Sequence, residues 1–364
     1  MRPTEVGRLR MRASGLTARR LDDALDVVRH HGAMQAQDYG PAKWSIGQRA
    51  GGLTDADVED AVAAGAILRT HVLRPTWHFV AAEDARWLLE LTGPRVRQAT
   101  AGRFRELGLD RKTLARSEAA VAATLAKGTQ LTRREIARVL DDSGVDRTGQ
   151  RLPHILMHLE LEGVVCSGAR RGSDHTYALL DERVPPARPL DRDDALTELT
   201  RRYLTSHGPA TVQDLRWWAS LKASDVARGL DLLSDEAVSE RVDGEVLWSI
   251  DADVARPRPT TKPHLLQVYD ELVVGYTRSR FFGDLQRSAV LGAWRDRSLP
   301  GNVILVDGHV AGHWKRTLDK DEVRVEVWPR AELDARGRRG LERAAADLGR
   351  FLGRRVMLGT HGAV

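Results

Sequence analysis

The sequence predicts an α+β chain in which a helix–helix–hairpin unit occurs three times, followed by a small antiparallel β-sheet and a closing helix. Three observations carry this. Apolar residues recur at helical spacing and then switch to strand-like alternation, three times over. Asp-Gly pairs at 243–244 and 307–308 join alternating runs, a strong hairpin signal. Proline-rich stretches at 181–192 and 255–263 separate the later units. The chain has 364 residues, and at about 100–200 residues per domain that is room for two or three domains.

The first unit is the least regular. Thr17 is expected to cap a helix in which Leu21, Ala24, Leu25 and Val28 share a face. The segment GAMQAQDYGPAKWSIG (32–47) follows. Thr54 caps a helix bearing Val58 and Val62, and ILRTHVLRPTWHFV (67–80) alternates and turns at Arg74-Pro75. In the second unit a helix is expected at 117–127. Thr132 then caps REIARVL with Glu135 at the capping-box position. A helix at 149–162 and strands from Val164 and His175 complete it, around a Gly- and Arg-rich tip, SGARRGSD. The third unit is clearest: helices at 193–206, 212–219 and 223–233, then AVSERVDGEVLWSI as two strands.

Helix, short helix, helix, two-stranded wing is the order of a winged helix, so three tandem winged-helix modules are expected. Beyond residue 263, LLQVYDEL, NVILVDGHVAGHW and VRVEVWP read as an antiparallel sheet, and 331–352 as an Arg-rich helix. The expected segments are 1–92, 93–184 (a basic helical stretch with the second module), 190–254 and 262–364.

Composition narrows the function. Hydrophobic residues are 42% and charged residues 29%, which excludes wholesale disorder. No run approaches the roughly 18–20 apolar residues of a membrane helix. The first twenty residues carry six arginines with no apolar stretch behind them, so no secretory signal is read and a cytoplasmic protein is expected. Cys166 is the one cysteine, which excludes an internal disulfide and a Cys-based zinc site.

The net charge is +5, and only seven of the 56 basic residues are lysine. Residues 94–116 hold seven basic and two acidic side chains, Arg95, Arg97 and Arg103 among them. That stretch is either an electrostatic footprint for a polyanion or a solvated helix face. Arg170 and Arg171 at the second wing tip suit a phosphate backbone. Double-stranded DNA is the expected partner, and a monomer is expected. Winged helices also serve as protein-interaction modules, which is the weaker reading.

Nucleotide-binding and metalloprotease motifs are missing. His154 and His158 stand four apart on a helix, but no third ligand is near, so no metal and no cofactor are expected. The informative stretch is 34–38. An extended backbone points the amides of Gln35 and Gln37 the same way. Paired amide oxygens can hold a water or face a developing positive charge, although glutamines past a helix are more often simply solvated. Asp38 reads as a cap of the turn at Tyr39-Gly40-Pro41, or as a charge for the same site. His78 reads equally as a DNA-facing group or as a satisfied neighbour of core Trp77 and Phe79.

Nearly the whole chain resembles the winged-helix DNA glycosylases of the AlkZ-like family, known for excising alkylated purines. Met34-Gln35-Ala36-Gln37-Asp38 matches the family's Gln-x-Gln catalytic motif. LRPTWHFV resembles its Arg-x-Thr-x-His stretch, here Arg74, Thr76 and His78. LLQVYDELVVGYTRSR (265–280) and ILVDGHVAGHWKRT (304–317) resemble its C-terminal signatures. The resemblance implies a monofunctional glycosylase for cationic alkylpurines, interstrand crosslinks included, acting in base excision repair. It implies catalytic roles for Gln35 and Gln37, support from Asp38 and His78, and DNA contact by Arg74. No lysine stands beside the glutamines, Lys43 being nearest, so no lyase activity is expected. The alternative is a non-catalytic winged-helix DNA-binding protein or transcriptional regulator.

Overall fold

The computed structural model describes residues 1–17, 21–184, 186, 189–250, 257–284, 287, 288, 290, 291 and 301–362. The chain opens with a helix that the sequence reading did not anticipate, α1 (Pro3–Ala13). It ends through the Thr17 amide, which bonds the Met11 carbonyl. Thr17 therefore closes one helix rather than capping the next. The next helix, α2 (Ala24–His31), starts later and is capped by Asp23, whose side chain accepts from the Asp26 amide. After it come β1 (Met34–Gln35), α3 (Tyr39–Gly47) and α4 (Asp55–Ala63), with the expected Thr54 cap. Strands β2 (Ile67–His71) and β3 (Trp77–Ala81) form the expected hairpin, and β1 adds to its far side in the order β1–β3–β2. The register places Gln35 opposite His78.

A 22-residue helix, α5 (Ala85–Glu106), runs without a break through Pro94 and joins the first unit to the second. Then follow α6 (Arg111–Leu125), β4 (Leu131–Thr132), α7 (Arg133–Asp142), α8 (Arg151–Leu161), β5 (Val165–Ser167), β6 (Thr176–Leu179) and α9 (Leu180–Arg183). The Thr132–Glu135 capping box forms as expected. The third unit holds α10 (Arg192–His207), α11 (Val212–Trp218), α12 (Ala223–Leu233), β7 (Ala237–Val242) and β8 (Glu245–Ile250). Asp243 and Gly244 have φ of 48° and 81°, the left-handed pair that a type I′ turn requires.

The last segment contains β9 (Pro263–Leu266), α13 (Glu271–Val274), β10 (Asn302–Val306), β11 (His309–Leu318), β12 (Glu322–Pro329), α14 (Ala335–Leu352) and β13 (Arg355–Thr360). They form one sheet in the order β13–β12–β11–β10–β9. The sheet is mixed rather than antiparallel, because β13 runs parallel to β12. The cause is α14. A helical crossover returns the chain in the same direction, where a hairpin would reverse it. Part of the expected linker 255–263 lies outside the described residues.

Hydrophobic packing ties distant segments together. Val27, Met34, Trp44 and Phe79 share one core with Leu265, Trp314, Val325, Leu348 and Phe351. Leu68, Val80 and Leu88 share another with Leu199, Tyr203, Trp218 and Tyr276. The second unit keeps a core of its own around Val121, Ile136, Ile155 and Val165. A buried bidentate pair, Arg49 with Asp270 at 2.8 Å on each arm, pins the first unit to the last segment.

Candidate active site

Strand β1 is two residues long, and its Gln35 amide faces away from β3. An edge N–H needs a partner, and here the partner is a side chain: Glu271 Oε1 accepts it at 2.6 Å. Glu271 is itself buried at the start of α13. Its other oxygen accepts from Trp218 Nε1 at 3.0 Å and meets His207 Nε2 at 3.1 Å. The Tyr203 ring stacks on His207 at 4.7 Å. The first, third and last segments thus converge behind Gln35.

The front of Gln35 is set by Arg74. Its Nη2 donates to Gln35 Oε1 at 2.9 Å, and its Nη1 donates to the Trp218 carbonyl at 3.0 Å. A guanidinium has donors only, so Gln35 must present its oxygen here. Burial pulls the Arg74 pKa down to about 10, which leaves it charged at neutral pH. His78 is fully buried, with Nδ1 at 2.9 Å from the Thr76 carbonyl and Nε2 at 3.5 Å from Arg74 Nη2. Burial, and then the charge of Arg74, holds its pKa well below the usual histidine range. It is a neutral ring that donates from Nδ1. The equal readings of His78 therefore resolve towards the interior.

Gln37 and Asp38 lie on the exposed side of the same strand end. Gln37 Oε1 accepts the Trp77 amide at 3.3 Å, so this amide oxygen also has a direction. Asp38 occupies the N-cap position of α3, yet its side chain makes no capping bond. Its carboxylate is left among cations, adding to the charges that face the guanidinia of Arg69 and Arg316. Arg69 clamps the strand from the side, with Nε on the Ala36 carbonyl at 3.0 Å and its guanidinium 4.3 Å from the Trp77 ring. Lys43 Nζ is buried between Asp55 at 2.7 Å and Glu59 at 2.8 Å.

The structure therefore brings together Gln35, Arg74 and His78, with Gln37 and Asp38 at the rim. Arg74, read from sequence as a DNA contact, is corrected: it is 8% exposed and spends its donors on Gln35 and Trp218. Among the described residues, none of the other expected DNA contacts bonds Gln35. Arg97 pairs with Glu162, Arg103 with Glu106, Arg170 with Glu59 and Arg171 with Glu135. Arg95 bonds Gln98 and the Ser220 carbonyl and has no carboxylate partner among the described residues. His154 and His158 flank Phe104, and among the described residues no three metal-ligating side chains converge. Sequence reasoning missed Glu271, His207, Trp218 and Arg69. Glu271 stands inside the 265–280 stretch, but nothing in its spacing announces a carboxylate beneath a glutamine 236 residues earlier.

The interstrand DNA cross-link repair glycosylase of Streptomyces sahachiroi is 26% identical over 359 residues, covering 94% of this chain and 95% of that protein. The solved structure of Streptomyces sahachiroi DNA glycosylase AlkZ superposes with a TM-score of 0.78 at 23% identity, covering 99% of this chain and 100% of that one. The profile of the DNA glycosylase AlkZ-like family matches residues 28–351, a span that contains every residue of the site just described. The chain belongs to the AlkZ-like DNA glycosylase family.

Proposed function

We propose that this protein is a monofunctional, metal-independent DNA glycosylase that hydrolyses the N-glycosidic bond of cationic alkylpurines, interstrand crosslinks included. The observation that carries this reading is the pair of oriented amides: Gln35 Oε1 fixed by Arg74 and Gln37 Oε1 fixed by the Trp77 amide. Each carbonyl oxygen has two lone pairs, so one remains on each after the fixing bond.

The chemistry needs little more. A purine alkylated at N3 or N7 carries a positive charge. When its bond to C1′ breaks, the electron pair leaves with the base and cancels that charge, so no proton donor is required. Charge then develops on the sugar, and preoriented dipoles aimed at it lower the barrier. Water adds to C1′ and loses a proton. An amide is too weak a base to accept it, and Asp38 is the exposed carboxylate at hand. Lys43, enclosed by Asp55 and Glu59, has no free amine for a Schiff base.

Two clefts of about 930 and 900 Å³ are lined by α1, residues 47–54, 257–265 and α14, and Gln35, Gln37 and Asp38 line neither. The three helix–helix–hairpin units are read as winged helices on double-stranded DNA, in segments 1–92, 93–184 and 190–254, with 262–364 completing the site. A cytoplasmic monomer is the matching state.

The test is base release from a duplex with one N7-methylguanine, read by alkaline cleavage, for the wild type and Gln35→Ala/Gln37→Ala. Release by the wild type alone supports the reading. Release by both removes the motif from catalysis. Binding without release by either leaves the non-catalytic DNA-binding protein.

A further inference from the structure

Some arginines are paired with carboxylates, among them both at the tip between β5 and β6. Among the described residues others are not, and four of those gather around one short helix. Trp217 on α11 is 37% exposed and is one of few large apolar side chains left open, whereas its neighbour Trp218 is fully buried beneath Glu271. The Arg74 guanidinium lies 4.6 Å from the centre of the Trp217 ring, and that of Arg280 lies 5.9 Å from it. Among the described residues Arg280 donates only to the Tyr276 carbonyl, and Arg95 reaches the Ser220 carbonyl just past the helix. Arg216, adjacent to Trp217, is exposed. None of these four makes an ion pair among the described residues. Burial pulls the Arg280 pKa down against the charge of Asp214, and among the described residues no carboxylate is bonded to it.

An open aromatic ring amid unpaired guanidinia recognises a partner with π-faces and negative charge together, which describes a nucleic-acid strand. The same Arg74 that touches Trp217 holds Gln35. We infer that Trp217 is the surface on which a DNA base stacks beside the lesion, with Arg280 on the adjoining phosphate. This makes Trp217 a positioning residue for the reaction and puts a DNA contact on α11. The inference rests on the glycosylase reading only for its purpose, since the contact itself is with DNA.

The experiment measures binding of a duplex bearing one N7-methylguanine by fluorescence anisotropy across a salt series. The proteins are the wild type, Trp217→Ala, Trp217→Phe and Arg280→Gln, each checked for an unchanged unfolding midpoint. Base–aromatic stacking is worth about 1–3 kcal/mol, so Trp217→Ala is expected to weaken binding roughly 5- to 150-fold. Its salt slope should not change, and Trp217→Phe should recover most of the loss. Arg280→Gln should flatten the slope by about 0.9. Wild-type affinity in Trp217→Ala, or a loss that Phe does not rescue, overturns the inference, as does an unaltered slope in Arg280→Gln. Absence of base release by the wild type would defeat the glycosylase reading while leaving these binding results decisive for Trp217.

Discussion

Gln35 illustrates how an amide, which has two ends of similar shape, is made to present one of them. Arg74 supplies the direction, and the carbonyl of Trp218 holds Arg74. The consequence is measurable. Arg74→Met keeps the length of the side chain and removes the donors, so Gln35 loses its fixed orientation. Single-turnover base release is expected to fall by on the order of 10²-fold, the usual cost of one oriented transition-state contact. Arg74→Lys should recover part of it, because an ammonium also donates. A rate equal to wild type in Arg74→Met would mean that the orientation does not matter. At this scale Gln35, Gln37 and Asp38 stand out in the sequence because they fall within four residues, although β1 ends at Gln35 and Gln37 lies just beyond it. Arg74 was found but misread, because sequence shows a cation near an expected turn and not whether it is covered. Glu271 was not found, since a burial partner 236 residues away leaves no local pattern.

Elements whose ends are fixed by local chemistry were read well. The Thr54 cap, the Thr132 capping box, the Asp243-Gly244 turn and the span of α12 depend on residues within a few positions. Elements fixed by tertiary contact were not. The sequence shows α1 only as an Arg-rich stretch, yet its Arg10 is buried on the Pro209 carbonyl and Ser279. Strand β13 exists because α14 delivers it beside β12. The hairpin of β5 and β6 lies where the sequence placed it, but its tip is occupied: Arg170 reaches Glu59 of the first unit at 3.3 Å, and Arg171 reaches Glu135 at 2.8 Å. Each must leave its carboxylate to meet a phosphate. Arg170→Gln/Arg171→Gln is therefore expected to flatten the salt slope of DNA binding by less than the roughly 1.8 of two free phosphate contacts. A flattening of that full size would show that both pairs break on the DNA.

The whole molecule is held by buried polar links as well as by its cores. Arg49 and Asp270 are both inaccessible, and Arg49 also bonds the carbonyls of Ser14 and Ser45. Burial works against the Asp270 charge, but Arg49 outweighs it and holds the carboxyl below its usual range. Asp270→Ala leaves a buried guanidinium uncompensated and should destabilise the protein by about 3–5 kcal/mol, read from urea unfolding. A loss below about 1 kcal/mol would remove the pair as a fastener.

Several histidines carry a second signature. Burial holds His31 and His78 well below the usual range, and takes His264 to about 3 and His175 to about 4. The unfolded chain protonates them near pH 6.5, while the folded protein keeps them neutral. Below that pH the unfolded state binds more protons, so stability present at neutral pH is lost as the pH falls from about 6.5 towards 4. The unfolding midpoint should drop steadily from pH 7.5 to pH 5, and a flat profile would contradict the burial of these rings.

Arg49 meets Asp270, and Trp44 meets the Leu265 carbonyl, across 221 residues of chain. On a ribosome adding about 5–20 residues per second, that interval is roughly 10–45 s. Throughout it the nascent first unit has only part of its core, and Gln35 has no carboxylate behind it. A polypeptide released early would carry Gln35 and Gln37 without the frame that orients them. Synthesis of the last segment therefore acts as a completeness check, making the surroundings of Gln35 one of the last features of the protein to form.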